Sequence, residues 1–249
     1  MRSAVAAWRL LRLLWHVWAG RRTLAAGWDS LTQTERDATV QRWSAQALSI
    51  LGVELRVEGE PPANGPALVV CNHVSWLDIL VLNAVRPCRF VSKSDVKDWP
   101  LLGPLVAASG TMFIERTQRR DAMRVVHGMA ERLRGGELLA VFPEGTTGDG
   151  SGVLPFHANL LQAAVVTDVP VWPLALCYRH SLDAQPHPAP VYVGDTTLVA
   201  SVWRTLTARH LLAHVCCGLP DAAQGRDRRT WSHGLRGQVA QLLGLPLTE

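Results

Sequence analysis

The chain has 249 residues, 48% hydrophobic and 18% charged, a length that suits one substantial α/β core and is short for two independent ones. Its formal net charge of +4 and pI near 9.0 suit a partner carrying phosphate or an anionic membrane surface. Nucleic acid is disfavoured as a partner: the 25 Lys and Arg are dispersed, with no basic run interleaved with aromatics and no zinc-finger or RNP-like pattern.

Ala4–Ala19 reads AVAAWRLLRLLWHVWA. At about 100° per residue, a helix here gathers Arg2, Arg9, Arg12 and His16 on one side and Trp8, Leu11, Trp15 and Trp18 on the other. The arginines argue against a bilayer span, which needs roughly 20 apolar residues, and against a signal peptide. The Trp and Arg pairing points to an interfacial helix, the alternative being a helix packed on the protein's own core. The ten Trp, against 2 Tyr and 4 Phe, strengthen the interfacial reading. Thr34–Leu51 reads as a second helix, with Thr34 as N-cap and Gly52 at its end. Residues 1–52 are therefore expected to form an N-terminal amphipathic, membrane-associating region, and 53–249 the catalytic α/β domain.

Strands are expected at Val53–Val57, Ala67–Cys71, Arg89–Val91, Thr111–Glu115, Glu137–Phe142, Val171–Leu176, Val191–Val193 and His210–Cys216. Helices are expected at Trp76–Val85, Trp99–Ala108, Gln118–Leu133, Ala158–Val166, Leu198–Thr207 and Arg229–Leu243. This alternation predicts an α/β fold: a mixed, largely parallel sheet flanked by helices, with the N-terminal membrane-associating helices added.

LVVCNHVSWLDIL, Leu68–Leu80, places Asn72, His73 and Asp78 just after a buried strand, where ligands bind in open α/β sheets. Neutral imidazole suits removal of a hydroxyl proton near pH 7, and a carboxylate on its other nitrogen would fix the tautomer. Five residues on one helix would splay the two side chains by roughly 140°. The pair can meet only if His73 lies in the turn ahead of the helix. Asn72 or Ser75 capping a helix beside an incidental His explains this segment equally well by itself. GTMFIER, Gly110–Arg116, and VFPEGTT, Val141–Thr147, each follow a strand, and an Arg with a Gly-containing turn suits an anionic acceptor.

These blocks resemble the glycerolipid acyltransferase family typified by 1-acylglycerol-3-phosphate acyltransferases. The counterparts are NHVSWLD at Asn72–Asp78, GTMFIER, FPEGTT at Phe142–Thr147 and VPVWPLAL at Val169–Leu176, with Lys93, Pro100 and Gly103 between them. The resemblance covers roughly Ala67–Tyr178. It implies a catalytic dyad of His73 and Asp78 and acceptor-binding roles for Arg116, Glu144, Gly145 and Thr146. It further implies direct acyl transfer from acyl-CoA or acyl carrier protein to a lysolipid acceptor, without metal or organic cofactor; the sorting of the N-terminal helix adds the expectation of attachment at the cytoplasmic face of the cell membrane. The leading acceptor is 1-acyl-sn-glycerol-3-phosphate, giving phosphatidate. One departure bears on this: Thr147 stands where many phosphatidate-forming members carry Arg, a variation that also resembles acyltransferases of lyso-ornithine lipid and other lysophospholipids.

The five cysteines read as reduced, mostly within apolar strands, and no C-x-x-C or H-E-x-x-H spacing supports a metal site. His187, in a Pro-rich HPH loop, reads as solvated. A serine hydrolase is disfavoured because no G-x-S-x-G occurs. A non-catalytic membrane-binding protein would be free to lose His73 and Asp78, and both are intact.

Overall fold

The computed structural model describes residues 2–99, 101–114, 119–180 and 185–247. Seven strands form one sheet: β1 Val53–Glu58, β2 Ala67–Cys71, β3 Arg89–Lys93, β4 Met112–Ile114, β5 Leu138–Val141, β6 Val171–His180 and β7 Leu211–Cys217. Their order is β1-β7-β6-β2-β5-β3-β4, and every pairing is parallel except β6 with β7. The expected strand at Val191–Val193 does not form. Both edges of β6 are already taken by β2 and β7, and the backbone N–H of Tyr192 instead donates to the carbonyl of Val74.

β2 reads Ala-Leu-Val-Val-Cys and is buried throughout, as a central parallel strand must be. Its alternation divides the core in two. Ala67, Val69 and Cys71 face α2 Gln33–Leu51, α3 Leu77–Val85 and the inner side of α1 Arg2–Ala25. Leu68 and Val70 face α5 Arg119–Arg134, α6 Gln162–Thr167 and α8 Arg228–Leu243. Two further helices are α4 Gly103–Ala108 and α7 Leu198–Thr207. The helix expected over Trp99–Ala108 is shortened to α4, which has Pro in its first turn. At Gly103 a Cβ would sit 2.1 Å from the Lys97 carbonyl oxygen, so the approach there admits only glycine. The N-cap of α2 is Thr32, not Thr34: its hydroxyl accepts from the Glu35 N–H while the Glu35 carboxylate accepts from the Thr32 N–H, a reciprocal pair that fixes the helix start.

α1 is longer than expected and sorts its residues differently from the sequence reading. Ala6, Leu10 and Leu13 join the core, and so does the side assigned to the basic residues: Arg9 donates to the Leu206 carbonyl, and buried His16 stacks on Trp43 and bonds its carbonyl at 3.0 Å. Trp8, Leu11, Leu14, Trp15 and Trp18 face outward. Arg12 accompanies them, its guanidinium 4.6 Å above the Trp8 ring. No helix among the described residues is long and apolar enough to cross a membrane.

Candidate active site

The site lies where β2 ends, between the parallel neighbours β5 and β6, a crevice that recurs as a ligand site in open α/β sheets. α3 starts at Leu77, so His73 lies in the turn ahead of it and Asp78 in its first turn. That is the arrangement in which the two can meet. His73 Nδ1 is 2.8 Å from Asp78 Oδ2.

Asp78 has no solvent exposure. Its Oδ2 also accepts from the N–H groups of Val74 at 2.7 Å and Ser75 at 2.9 Å, and its Oδ1 accepts from the Tyr178 hydroxyl at 2.6 Å. A side chain surrounded by donors must be the acceptor-only carboxylate. His73 therefore carries a proton on Nδ1, and it is Nε2 that a neutral ring would leave with a lone pair. Tyr178 is a firm donor, because burial, and then the Asp78 charge, push its phenol well above the ordinary range. The sequence reading missed this tyrosine. It lies two residues beyond the fourth block, on the same face of β6 as Leu174 and Leu176.

Asn72 anchors the start of the turn, exchanging hydrogen bonds with the N–H and C=O of Leu176 at 2.8 and 2.9 Å. The His73 ring stacks on Phe142 at 4.0 Å between centroids, and the His73 carbonyl accepts from Gly148 N–H at 2.7 Å. Glu144, expected beside the acceptor, is buried. Its oxygens accept from the N–H groups of His73 at 2.9 Å and Leu154 at 3.3 Å, so it ties together the loops that follow β2 and β5. Burial raises its pKa to about 7 against the lowering effect of these donors.

His73 opens on a cavity of about 610 Å³ shared with Gly145, Thr146 and Thr147 and walled by α1, α2 and the segment through α4. Leu13, Val17, Trp43, Leu102 and Leu105 make the wall mainly apolar. The Thr147 hydroxyl donates to the Tyr192 carbonyl. Arg116 lies outside the described residues. His187 is not solvated: it is buried, its Nδ1 accepts from the Ala189 N–H at 3.1 Å, and it stacks on His180.

The sequence profile of the family described as Acyltransferase matches residues 53–177. The lyso-ornithine lipid O-acyltransferase of Pseudomonas aeruginosa is 38% identical over 211 residues, covering 82% of this chain and 80% of that protein. The 1-acyl-sn-glycerol-3-phosphate acyltransferase of Neisseria gonorrhoeae is 36% identical over 206 residues, covering 81% and 79%. The crystal structure of the 1-acyl-sn-glycerophosphate acyltransferase from Thermotoga maritima shares the fold, with a TM-score of 0.67 at 19% identity over 100% of both chains.

Two measurements probe this frame. Tyr178→Phe leaves a buried carboxylate oxygen without its donor and is expected to cost about 1.5–3 kcal/mol in urea unfolding, the usual worth of a hydrogen bond to a charged group; unchanged stability would mean that Asp78 does not depend on the phenol. Glu144 holds its proton more tightly folded than unfolded. Its contribution is thus fully present below about pH 4.5 and lost as pH rises through about 7. The stability of wild type relative to Glu144→Gln should accordingly fall between those pH values, and a flat difference would contradict the raised pKa.

Proposed function

The chain belongs to the acyltransferase family, and from that membership we propose that it transfers a fatty acyl group from a thioester donor to the free hydroxyl of a lysolipid. The observation that carries this reading is the position of His73, bonded to Asp78 on one side and open to a mainly apolar cavity on the other. Such a cavity suits an acyl chain, and the lone pair on Nε2 suits an alcohol proton.

In the proposed reaction the acceptor hydroxyl gives its proton to His73 Nε2 as its oxygen attacks the thioester carbonyl. Asp78 stabilises the imidazolium through the Nδ1 proton. The tetrahedral intermediate then expels the thiolate, which takes the proton from Nε2. The products are an ester and a free thiol, with the histidine neutral again. Every proton and electron pair is accounted for by the two substrates and His73, so the scheme calls for no metal or organic cofactor. The donor is acyl-CoA or acyl carrier protein.

The first acceptor in this reading is 1-acyl-sn-glycerol-3-phosphate, giving phosphatidate, with Arg116, Gly145 and Thr146 at the phosphate-bearing end. Glu144 belongs with them at the acceptor end in this reading and also holds the backbone of His73. Lyso-ornithine lipid is the second reading. It is favoured by Thr147, whose hydroxyl is engaged by Tyr192 where an arginine would supply a cation, and by the lyso-ornithine relative. The enzyme is placed at the cytoplasmic face of the cell membrane, held peripherally by the outward indoles of α1 and by Arg12, Arg21 and Arg22, all on the exposed side.

His73→Ala should fold normally by circular dichroism and lose about 10²- to 10⁴-fold in turnover, the usual range for a general base. Near-normal turnover would remove His73 from the mechanism. With labelled donor and mass-spectrometric readout, lysophosphatidate should be acylated ahead of lyso-ornithine lipid; the reverse order moves the assignment to the second reading. Because Ala6, Leu10 and Leu13 belong to the core, membrane contact is better tested by substitution than by truncation. Trp8, Trp15 and Trp18 changed together to Ser should reduce vesicle flotation while sparing turnover of a soluble short-chain acceptor, and unchanged flotation would relocate the contact.

A further inference from the structure

On the opposite side of the sheet from His73's own core layer, parallel pairing of the edge strand β1 with β7 sets Glu58 beside Cys216 in register. His214 is two residues from Cys216 on β7, hence on the same face. The three side chains converge. His214 Nε2 is 3.1 Å from Glu58 Oε2 and 3.6 Å from Cys216 Sγ, and the three ligand-type atoms lie within 4.8 Å of one another. Among the described residues this is the one such group of His, Cys and carboxylate side chains.

The geometry points to a binding site for a borderline-soft divalent cation, zinc above all, formed by Glu58, His214 and Cys216 across the edge of the sheet. The separations carry the inference. Zinc at about 2.3 Å from sulfur, 2.05 Å from nitrogen and 2.1 Å from oxygen, in tetrahedral geometry, holds its N and S ligands about 3.6 Å apart and its N and O ligands about 3.4 Å apart. The two pairs made by His214 stand at 3.6 and 3.1 Å, within a few tenths of an ångström of these values, and the third, Glu58 to Cys216, lies within 4.8 Å against the about 3.6 Å that zinc would set, a difference the exposed Glu58 side chain can close by rotation. The mixed N, O and S set is one that zinc accepts and magnesium or calcium does not. With three protein ligands, the fourth position is left for water.

Access is consistent with this. The Glu58 side chain is 68% exposed while that of His214 is 15% exposed, so the ion enters from solvent onto a ring already held by the sheet. Burial, and then the neighbouring Glu58 and Cys177, raise the Cys216 thiol, with Arg179 and Arg56 lowering it in part, so the thiolate forms with the arrival of the cation. On binding, Cys216 gives its proton to solvent and His214 keeps a single proton, on Nδ1, leaving Nε2 to the metal. The outcome is a clamp between the edge strand β1 and β7, which should stabilise the fold by mass action on the native state.

The test uses the full-length, tag-free, reduced protein with zinc or cobalt(II) alone. After dialysis against micromolar zinc, wild type should retain about one equivalent. Cys216→Ser and His214→Gln should retain little, and Cys217→Ser, on the other face of the same strand, should behave as wild type. Cobalt(II) should give tetrahedral visible bands and a thiolate charge-transfer band that disappears in Cys216→Ser. Zinc should raise the Tm of wild type and not that of Cys216→Ser, which also shows that the variant is folded. Equal zinc retention by wild type and Cys216→Ser, or octahedral cobalt spectra without a thiolate band, would overturn the proposal.

Discussion

An ionised carboxylate enclosed without solvent is tolerable only when its lone pairs are met, because the cost of stripping a charge of water exceeds the worth of any one hydrogen bond. Asp78 meets this condition through donors from two parts of the chain: the turn His73–Ser75, with the ring of His73 and the N–H groups of Val74 and Ser75, and the hydroxyl of Tyr178 on β6. The site's architecture follows from assembling them. β2 and β6 run parallel, and Cys71, the last residue of β2, is level with Leu174, in the middle of β6. Tyr178 can reach over the turn only because β6 continues past that level, and its continuation Ala175–His180 is supported by the antiparallel pairing with β7. The single antiparallel strand pair in the sheet thus serves the dyad directly.

A second carboxylate gives the turn its other fixed point. Glu144 binds the N–H of His73 while Gly148 binds its carbonyl, so the loop after β5 holds the backbone of His73 on both sides. The same Glu144 reaches Leu154, whose neighbour Val153 accepts from the Arg236 guanidinium at 2.6 Å. In this way α8, far along the sequence, is connected to the His73 loop by a short chain of polar contacts. Burial holding the Glu144 proton up to about 7 also limits the negative charge that accumulates near Asp78.

The elements that were legible in the sequence are those decided by local pattern. β2 was recognisable as an unbroken apolar run, and α7 by its apolar period behind Thr197, whose side chain accepts from the Ala200 N–H. The His-x4-Asp spacing could be read only as a conditional, since a helix through both residues would separate them. Tyr178 was illegible because nothing local distinguishes a strand tyrosine that meets a carboxylate 100 residues away. Glu144 was read through family resemblance as an acceptor residue, and its hydrogen bonds from His73 and Leu154 were illegible because backbone donors leave no mark in a sequence. The Glu58, His214 and Cys216 cluster escaped a search for ligand spacings for a related reason: the grouping is made by strand register and not by a loop motif.

The inverted sorting of α1 shows how tertiary packing overrides an amphipathic pattern. Counted as charge, the side with Arg9 and His16 belongs in solvent; counted by volume, it alternates with Leu10, Leu13, Val17 and Gly20 and fits against α2, α4 and α7. The protein supplies polar partners for its two polar members, the Leu206 carbonyl for Arg9 and the Trp43 carbonyl for His16, so burying that side leaves neither unsatisfied. Gly20 marks how closely the helices meet, since a Cβ there would lie 2.7 Å from Trp43 Nε1 and 3.1 Å from Leu105. The indole face is left outside because it has no partner within the fold. One helix consequently presents aromatic surface outward while Leu13 and Val17 on its inner side wall the cavity that reaches His73.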